Sequence, residues 1–149
     1  DWYGWSLIFN DLGEWTVTWV TEDGVWNVRS HQITIDVKDT FIPPSIHITS
    51  PRPGDLFLRD KYITKLGFSL ALYLACSRVQ CLAYVEGTGV AKVVFECAEK
   101  TDTDYSPSNG YFSGSISNVG SGVYTLYAKA YNQKDELVDT DTVRILKIG

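Results

Sequence analysis

Hydrophobic and polar residues alternate with a period of two along much of this chain, most regularly near its end. In Gly120–Ile148, Tyr124, Leu126, Ala128 and Ala130 fall on one face, and Thr125, Tyr127 and Lys129 on the other. Val143 and Ile145 alternate in the same way with Thr142 and Arg144. A period of two predicts half-buried strands, one face on a core and one in water. The polar run 132–136 between them predicts the turn of a hairpin.

An earlier stretch, Leu12–Val37, has the same layout. Gly13–Trp19 lies over Gly122–Ala128 without a gap, Glu22-Asp-Gly24 supplies a turn, and Ile33–Val37 matches Val143–Lys147 with one residue skipped. We read this as one supersecondary unit used twice. Strands are expected at Trp5–Phe9, Trp15–Thr21 and Gln32–Val37, and Pro43-Pro44 then marks a boundary, since proline cannot donate to a sheet. Two organisational units follow: 1–42, a partial sandwich or strand extension, and 45–149. The second opens with a strand at Ser45–Thr49 and carries apolar patches at Leu56–Leu58 and Tyr62–Ile63. Beyond these, Val79, Cys81, Ala83 and Val85 alternate before Glu86–Gly89, and Val93, Phe95 and Cys97 after it. Residues 99–110 read as a loop and Tyr111–Ile116 as a strand. About seven strands with turns between them predict an all-β, antiparallel sandwich.

The most apolar run is Phe68–Val85. A membrane span needs about 20 apolar residues, and Arg78 and Gln80 interrupt this one, so two buried strands joined at Ser77-Arg78 are expected, with an amphipathic helix over Leu70–Leu82 as the rival. No membrane span is expected. The net charge of −5 argues against nucleic acid, since phosphate binding needs clustered Lys and Arg, and the sequence has no such cluster. Aromatics reach 13%, with nine Tyr and five Trp, which favours strands and surfaces that bind sugars or proteins. The 149 residues contain no Met, so the sequence reads as a mature product or a piece of a longer chain.

Three segments carry a family resemblance. Ile46–Gly54 (IHITSPRPG) resembles the opening of the immunoglobulin-like repeats of archaeal and bacterial cell-surface proteins. Gly89–Cys97 (GVAKVVFEC) is similar to their central strand, and Gly122–Asn132 (GVYTLYAKAYN) to their penultimate strand. The resemblance covers residues 46–148 and implies an immunoglobulin-like sandwich, a cell-surface or extracellular location and a structural role. The chain departs from the pattern at 132–136, where Asp-x-x-Gly-Asn is usual, and Leu66–Cys81 is longer and more apolar than usual. Residues 1–42 resemble only the second half of a repeat. Half a sandwich leaves a hydrophobic face uncovered. The segment is therefore a fragment, packs on the following domain, or is completed by a strand of another chain.

Candidate chemistry is sparse. On the resemblance, Cys81 and Cys97 belong to strands of opposite sheets, so an inter-sheet disulfide is expected, in competition with a Cys76–Cys81 bridge around Ser77–Gln80, and buried free thiols are the alternative to both. Either suits an oxidising compartment, and one thiol is left over. Asp102 with Asp104, and Asp139 with Asp141, each place two carboxylates two residues apart in or beside a loop. Calcium takes six to eight oxygens, so each pair is at most part of a site, and solvated loop charges are the reading preferred. His31 and His47 lie in or beside strands, and no recognisable nucleophile and acid accompany them, so no catalytic residues and no cofactor are expected. Trp15 and Trp19 share a face with Val17 and are expected to cover a core or an interface. Trp2, Tyr3, Trp5 and Trp26 are candidates for a sugar platform or a subunit interface. No Asn-x-Ser/Thr sequon is present. The function expected is a structural and interaction module of a surface-layer or stalk-type protein, whose partners are neighbouring modules or copies of itself. A subunit of a filament built by strand exchange and a polysaccharide-binding accessory module are the alternatives.

Overall fold

Type I′ hairpin turns formed without glycine shape this fold. Such turns require positive φ at both central residues, and Arg59 (50°) with Asp60 (64°), and Ala98 (52°) with Glu99 (62°), supply it. The structure is a computed structural model that describes residues 11, 13–22, 24, 25, 27–37 and 42–149. The chain divides into two compact units, 1–41 and 42–149. Among the described residues there is no helix.

In the first unit, β1 (Gly13–Glu22) and β2 (Val28–Val37) form an antiparallel hairpin, in unbroken register from Gly13↔Val37 to Glu22↔Val28. The alternation places Trp15, Val17 and Trp19 on one face, opposite Ile35, Ile33 and His31. The Trp19 and His31 rings stack at 5.5 Å. On this face Trp19 is 45% exposed and Ile33 47%. The expected strand Trp5–Phe9 lies outside the described residues.

The second unit is a sandwich of ten strands: β3 (Ser45–Ser50), β4 (Asp55–Leu58), β5 (Lys61–Lys65), β6 (Ala71–Leu74), β7 (Arg78–Glu86), β8 (Lys92–Cys97), β9 (Lys100–Asp104), β10 (Tyr111–Ser117), β11 (Gly122–Tyr131) and β12 (Leu137–Ile148). A small sheet runs β10-β7-β3 and a large one β5-β4-β6-β12-β11-β8-β9. The run expected as two buried strands is β6 and β7, and the final hairpin is β11–β12.

Two expectations are corrected. The sandwich is mixed rather than antiparallel throughout, because β6 pairs in parallel with both β4 and β12. Residues 99–110 are not a continuous loop. The Ala98-Glu99 turn sends the chain straight back as β9, paired with β8 from Cys97↔Lys100 to Val93↔Asp104. Neither turn residue is a usual turn former, so the sequence carried no sign of it.

The core lies between the sheets. Val79 and Ala83 of the small sheet meet Val93, Phe95, Leu126 and Ile145 of the large one, all fully buried. Each such Val, Leu, Ile or Phe contributes roughly 1.5–3 kcal/mol. Close packing is set at Gly114, which pairs with Cys81: a Cβ there would stand 2.5 Å from the Phe95 ring and 2.8 Å from Cys81 Sγ. Gly54 is needed for its backbone. Its φ is +90°, its N–H donates to Leu70 O at 3.0 Å, and a Cβ would lie 2.2 Å from Leu66 O.

Candidate functional site at the rims of the sandwich

The two Asp-x-Asp pairs stand on strands, on the inward side of the alternation. Asp104 pairs across the ladder with Val93 and Asp102 with Phe95, so both carboxylates project on the face of buried residues. Asp139 and Asp141 continue, two residues at a time, the inward series Val143, Ile145 and Lys147 of β12. All four are half-buried. They are neither loop residues nor fully solvated.

Each carboxylate reaches the edge of the other sheet. On one rim, Ser115 N–H donates to Asp102 Oδ2 at 2.7 Å and Ser113 N–H to Asp104 Oδ2 at 2.8 Å. Asp104 Oδ1 also accepts from Ser106 N–H at 2.9 Å. On the opposite rim, Ile46 N–H donates to Asp139 Oδ2 at 2.8 Å and Ile48 N–H to Asp141 Oδ2 at 2.7 Å. The small sheet ends in β10 on one side and β3 on the other. Both edges would otherwise present open N–H groups, and an open edge invites another strand. Here charge-assisted bonds, stronger than neutral ones, close both edges. The spacing of two in the sequence shows only that both carboxylates of a pair share a face of their strand, and the packing of the sheets decides what that face meets.

The same geometry bears on calcium. A carboxylate oxygen that already accepts a backbone N–H faces a positive dipole, which opposes a cation at that point. Among the described residues, no group of three or more His, Cys, Asp or Glu is placed to hold a metal ion.

The cysteines require a correction. Cys81 on β7 and Cys97 on β8 do lie in opposite sheets and both are buried, but Cys76, Cys81 and Cys97 are all free thiols, so neither expected bridge is formed. Cys76 Sγ is engaged in its own turn, donating to Leu74 O and accepting from Asp60 N–H, each at 3.4 Å. The Cys81 sulfur sits against Gly114 beside the Phe95 ring. Burial, then the Asp102 carboxylate, push the Cys81 thiol far above its usual range, and burial pushes Cys97 up to about 11.

Asp60 anchors the β4–β5 turn to the start of β7. Its carboxylate accepts from Ser77 Oγ at 2.5 Å, Ser77 N–H at 2.9 Å and Arg78 N–H at 3.3 Å. The Ser77 hydroxyl, then those two backbone donors, hold its pKa below the usual 3.8 against some desolvation.

The histidines lie apart. His31 stacks on Trp19, and His47 Nε2 is 3.1 Å from Ser45 Oγ on β3, both on exposed strand positions. A cleft of about 390 Å³ includes Arg78, Gln80, Asp102, Ser113 and Ser115 in its lining, and neither histidine lines it. Trp2, Tyr3, Trp5 and Trp26 lie outside the described residues. No described helix is long and apolar enough to cross a membrane.

No protein-family model and no curated protein matches the chain. Among solved structures, the fibronectin(III)-like modules of CbhA from Clostridium thermocellum superpose with a TM-score of 0.49 at 16% identity, over 91% of this chain. The chain spans 63% of that structure's length. An engineered protein superposes with a TM-score of 0.44 at 20% identity, over 72% of this chain and 21% of that one. The sandwich assignment therefore stands on the strand order and the core of this chain itself.

Proposed function

We propose that this chain is a non-catalytic structural and interaction module of an extracellular or cell-surface protein, of the surface-layer or stalk type. The observation that supports it most is the double rim closure. Asp102 and Asp104 tie β9 to β10, and Asp139 and Asp141 tie β12 to β3. Sliding or parting the two sheets must then break hydrogen bonds on both sides together with the core between them. That is a design for holding shape under load. No constellation of nucleophile, base and oriented acid is part of the reading.

The test has two arms. In single-molecule pulling of tandem full-length chains, the parent should unfold at one well-defined force, and Asp139→Ala/Asp141→Ala should lower it. Equal forces would remove the mechanical role. A membrane-impermeant label applied to intact source cells should reach the protein, and failure to label would remove the surface location. Retention on insoluble polysaccharide, lost on Trp2→Ala, Trp5→Ala and Trp26→Ala, would instead favour the carbohydrate-binding alternative.

A further inference from the structure

The small sheet changes width along its length. Strand β3 pairs with β7 from Glu86 back to Leu82 and stops at Ser50. Pro51 follows, and it has no N–H with which to continue the ladder. From Arg78 to Cys81, β7 therefore has only β10 beside it. Gln80 O, with no strand across from it on the vacated side, accepts the Tyr73 hydroxyl at 2.8 Å. Beside this step lies the cleft of about 390 Å³, lined wholly by residues of the second unit. Its volume falls within the range of small-molecule sites.

The lining is polar and unengaged. Arg78 and Gln80 of β7, with Ser113 and Ser115 of β10, alternate with buried residues and so stand on the outward face of the sheet. Among the described residues, the guanidinium, the amide and the two hydroxyls have no hydrogen-bond partner. Asp102 gives Oδ2 to Ser115 N–H at 2.7 Å and keeps Oδ1 as an acceptor. Arg78 and Asp102 are the only charged residues of the lining, so an anion meets one like charge and a cation the other. A neutral molecule rich in hydroxyls, each both donor and acceptor, satisfies such a surface. On the same face, two residues beyond Leu82 and Ser113, Tyr84 and Tyr111 pair across the strands with ring centroids 5.0 Å apart, and Tyr111 is 42% exposed. Their rings offer an apolar surface to the C–H face of a sugar. Four residues of strand separate this pair from Gln80 and Ser115, about 14 Å, the span of a short oligosaccharide rather than of one sugar.

We infer that this outward face of the small sheet is a binding site for a neutral oligosaccharide. Arg78, Gln80, Ser113 and Ser115 form its hydrogen-bonding floor, and Tyr84 with Tyr111 its stacking wall. The inference rests on the reading of the chain as an interaction module and gives that module a ligand, on residues other than Trp2, Trp5 and Trp26.

The experiment is calorimetric titration of the full chain with neutral hexasaccharides of β-linked glucose, α-linked glucose, xylose, mannose and N-acetylglucosamine. Their monosaccharides, an anionic hexagalacturonate and zwitterionic glycine serve as competitors. Expected is saturable binding of at least one neutral hexasaccharide, tighter than its monosaccharide and indifferent to salt, since no ligand charge is there to be screened. Gln80→Ala and Arg78→Ala should each weaken it about tenfold, the loss of one hydrogen-bonding group, and Tyr111→Ala by a similar factor. Ser113→Phe fills the cleft and should abolish binding, whereas Trp2→Ala/Trp5→Ala/Trp26→Ala should leave it unchanged. Should Ser113→Phe fail to fold, the exposed Gln80→Ala and Arg78→Ala must still show their losses. Binding that ignores Gln80→Ala and Arg78→Ala, or that prefers hexagalacturonate or glycine, overturns the inference. A chain that binds no neutral hexasaccharide also overturns it, and leaves the mechanical reading of the module to its own pulling test.

Discussion

Replacing Asp139 and Asp141 together by alanine tests the rim closure directly. Each substitution removes a charged acceptor and leaves a partly buried N–H, of Ile46 or Ile48, without it. A hydrogen bond to a charged group is worth about 1.5–3 kcal/mol. Both carboxylates are half-buried, so water replaces part of the loss, and the lower end, about 1.5 kcal/mol each, is the appropriate figure. The pair then costs about 3 kcal/mol, a fall of roughly 12–24 °C in Tm for a unit near 100 residues. The milder double change Asp139→Asn/Asp141→Asn keeps an amide oxygen as acceptor at each position and should lose only about half. Eight of the nine tyrosines lie in residues 42–149 and every tryptophan lies before them. Tyrosine near-ultraviolet circular dichroism in a urea titration therefore reports the sandwich apart from the hairpin. Asp102→Ala/Asp104→Ala on the opposite rim should cost a similar amount. The two rims are separated by β7, about 10 Å across two strand spacings, so the losses should add within about 0.5 kcal/mol. A double alanine variant within about 0.5 kcal/mol of the parent, or asparagine as damaging as alanine, would refute the argument.

Other perturbations have equally definite outcomes. Gly114→Ala drives a methyl into the Phe95 ring and Cys81 Sγ and should cost about 1–3 kcal/mol, seen as a lower urea midpoint at unchanged slope. Asp60 has a depressed folded-state pKa. Its contribution is therefore present above the unfolded value and is lost as pH falls through the folded one, so Asp60→Asn should lower Tm at pH 7 and flatten its fall below about pH 4. Burial of all three thiols, with those of Cys81 and Cys97 raised, predicts that a thiol-specific reagent at pH 8 titrates none of the three in the native protein and all three in urea. Fast native labelling of any one would refute that placement.

Alternation alone indicated the strands β1, β2, β8, β11 and β12, the final hairpin and the inward faces of β7, β8, β11 and β12. Period two is a local property, and a residue's side of a strand follows from its neighbours. Tertiary structure decided the rest. The parallel partners of β6 and the return strand β9 depend on contacts distant in sequence and on a turn whose residues give no compositional sign. The four aspartates show the division most clearly. Their spacing was visible as Asp102-x-Asp104 and Asp139-x-Asp141, but spacing shows only that two carboxylates share a face. Whether that face meets a cation, water or a row of backbone N–H groups depends on which strand lies across the gap. Ile46 is 93 residues from Asp139, as Ile48 is from Asp141. No local pattern encodes a meeting of that range, and only the packing of one sheet on the other brings it about.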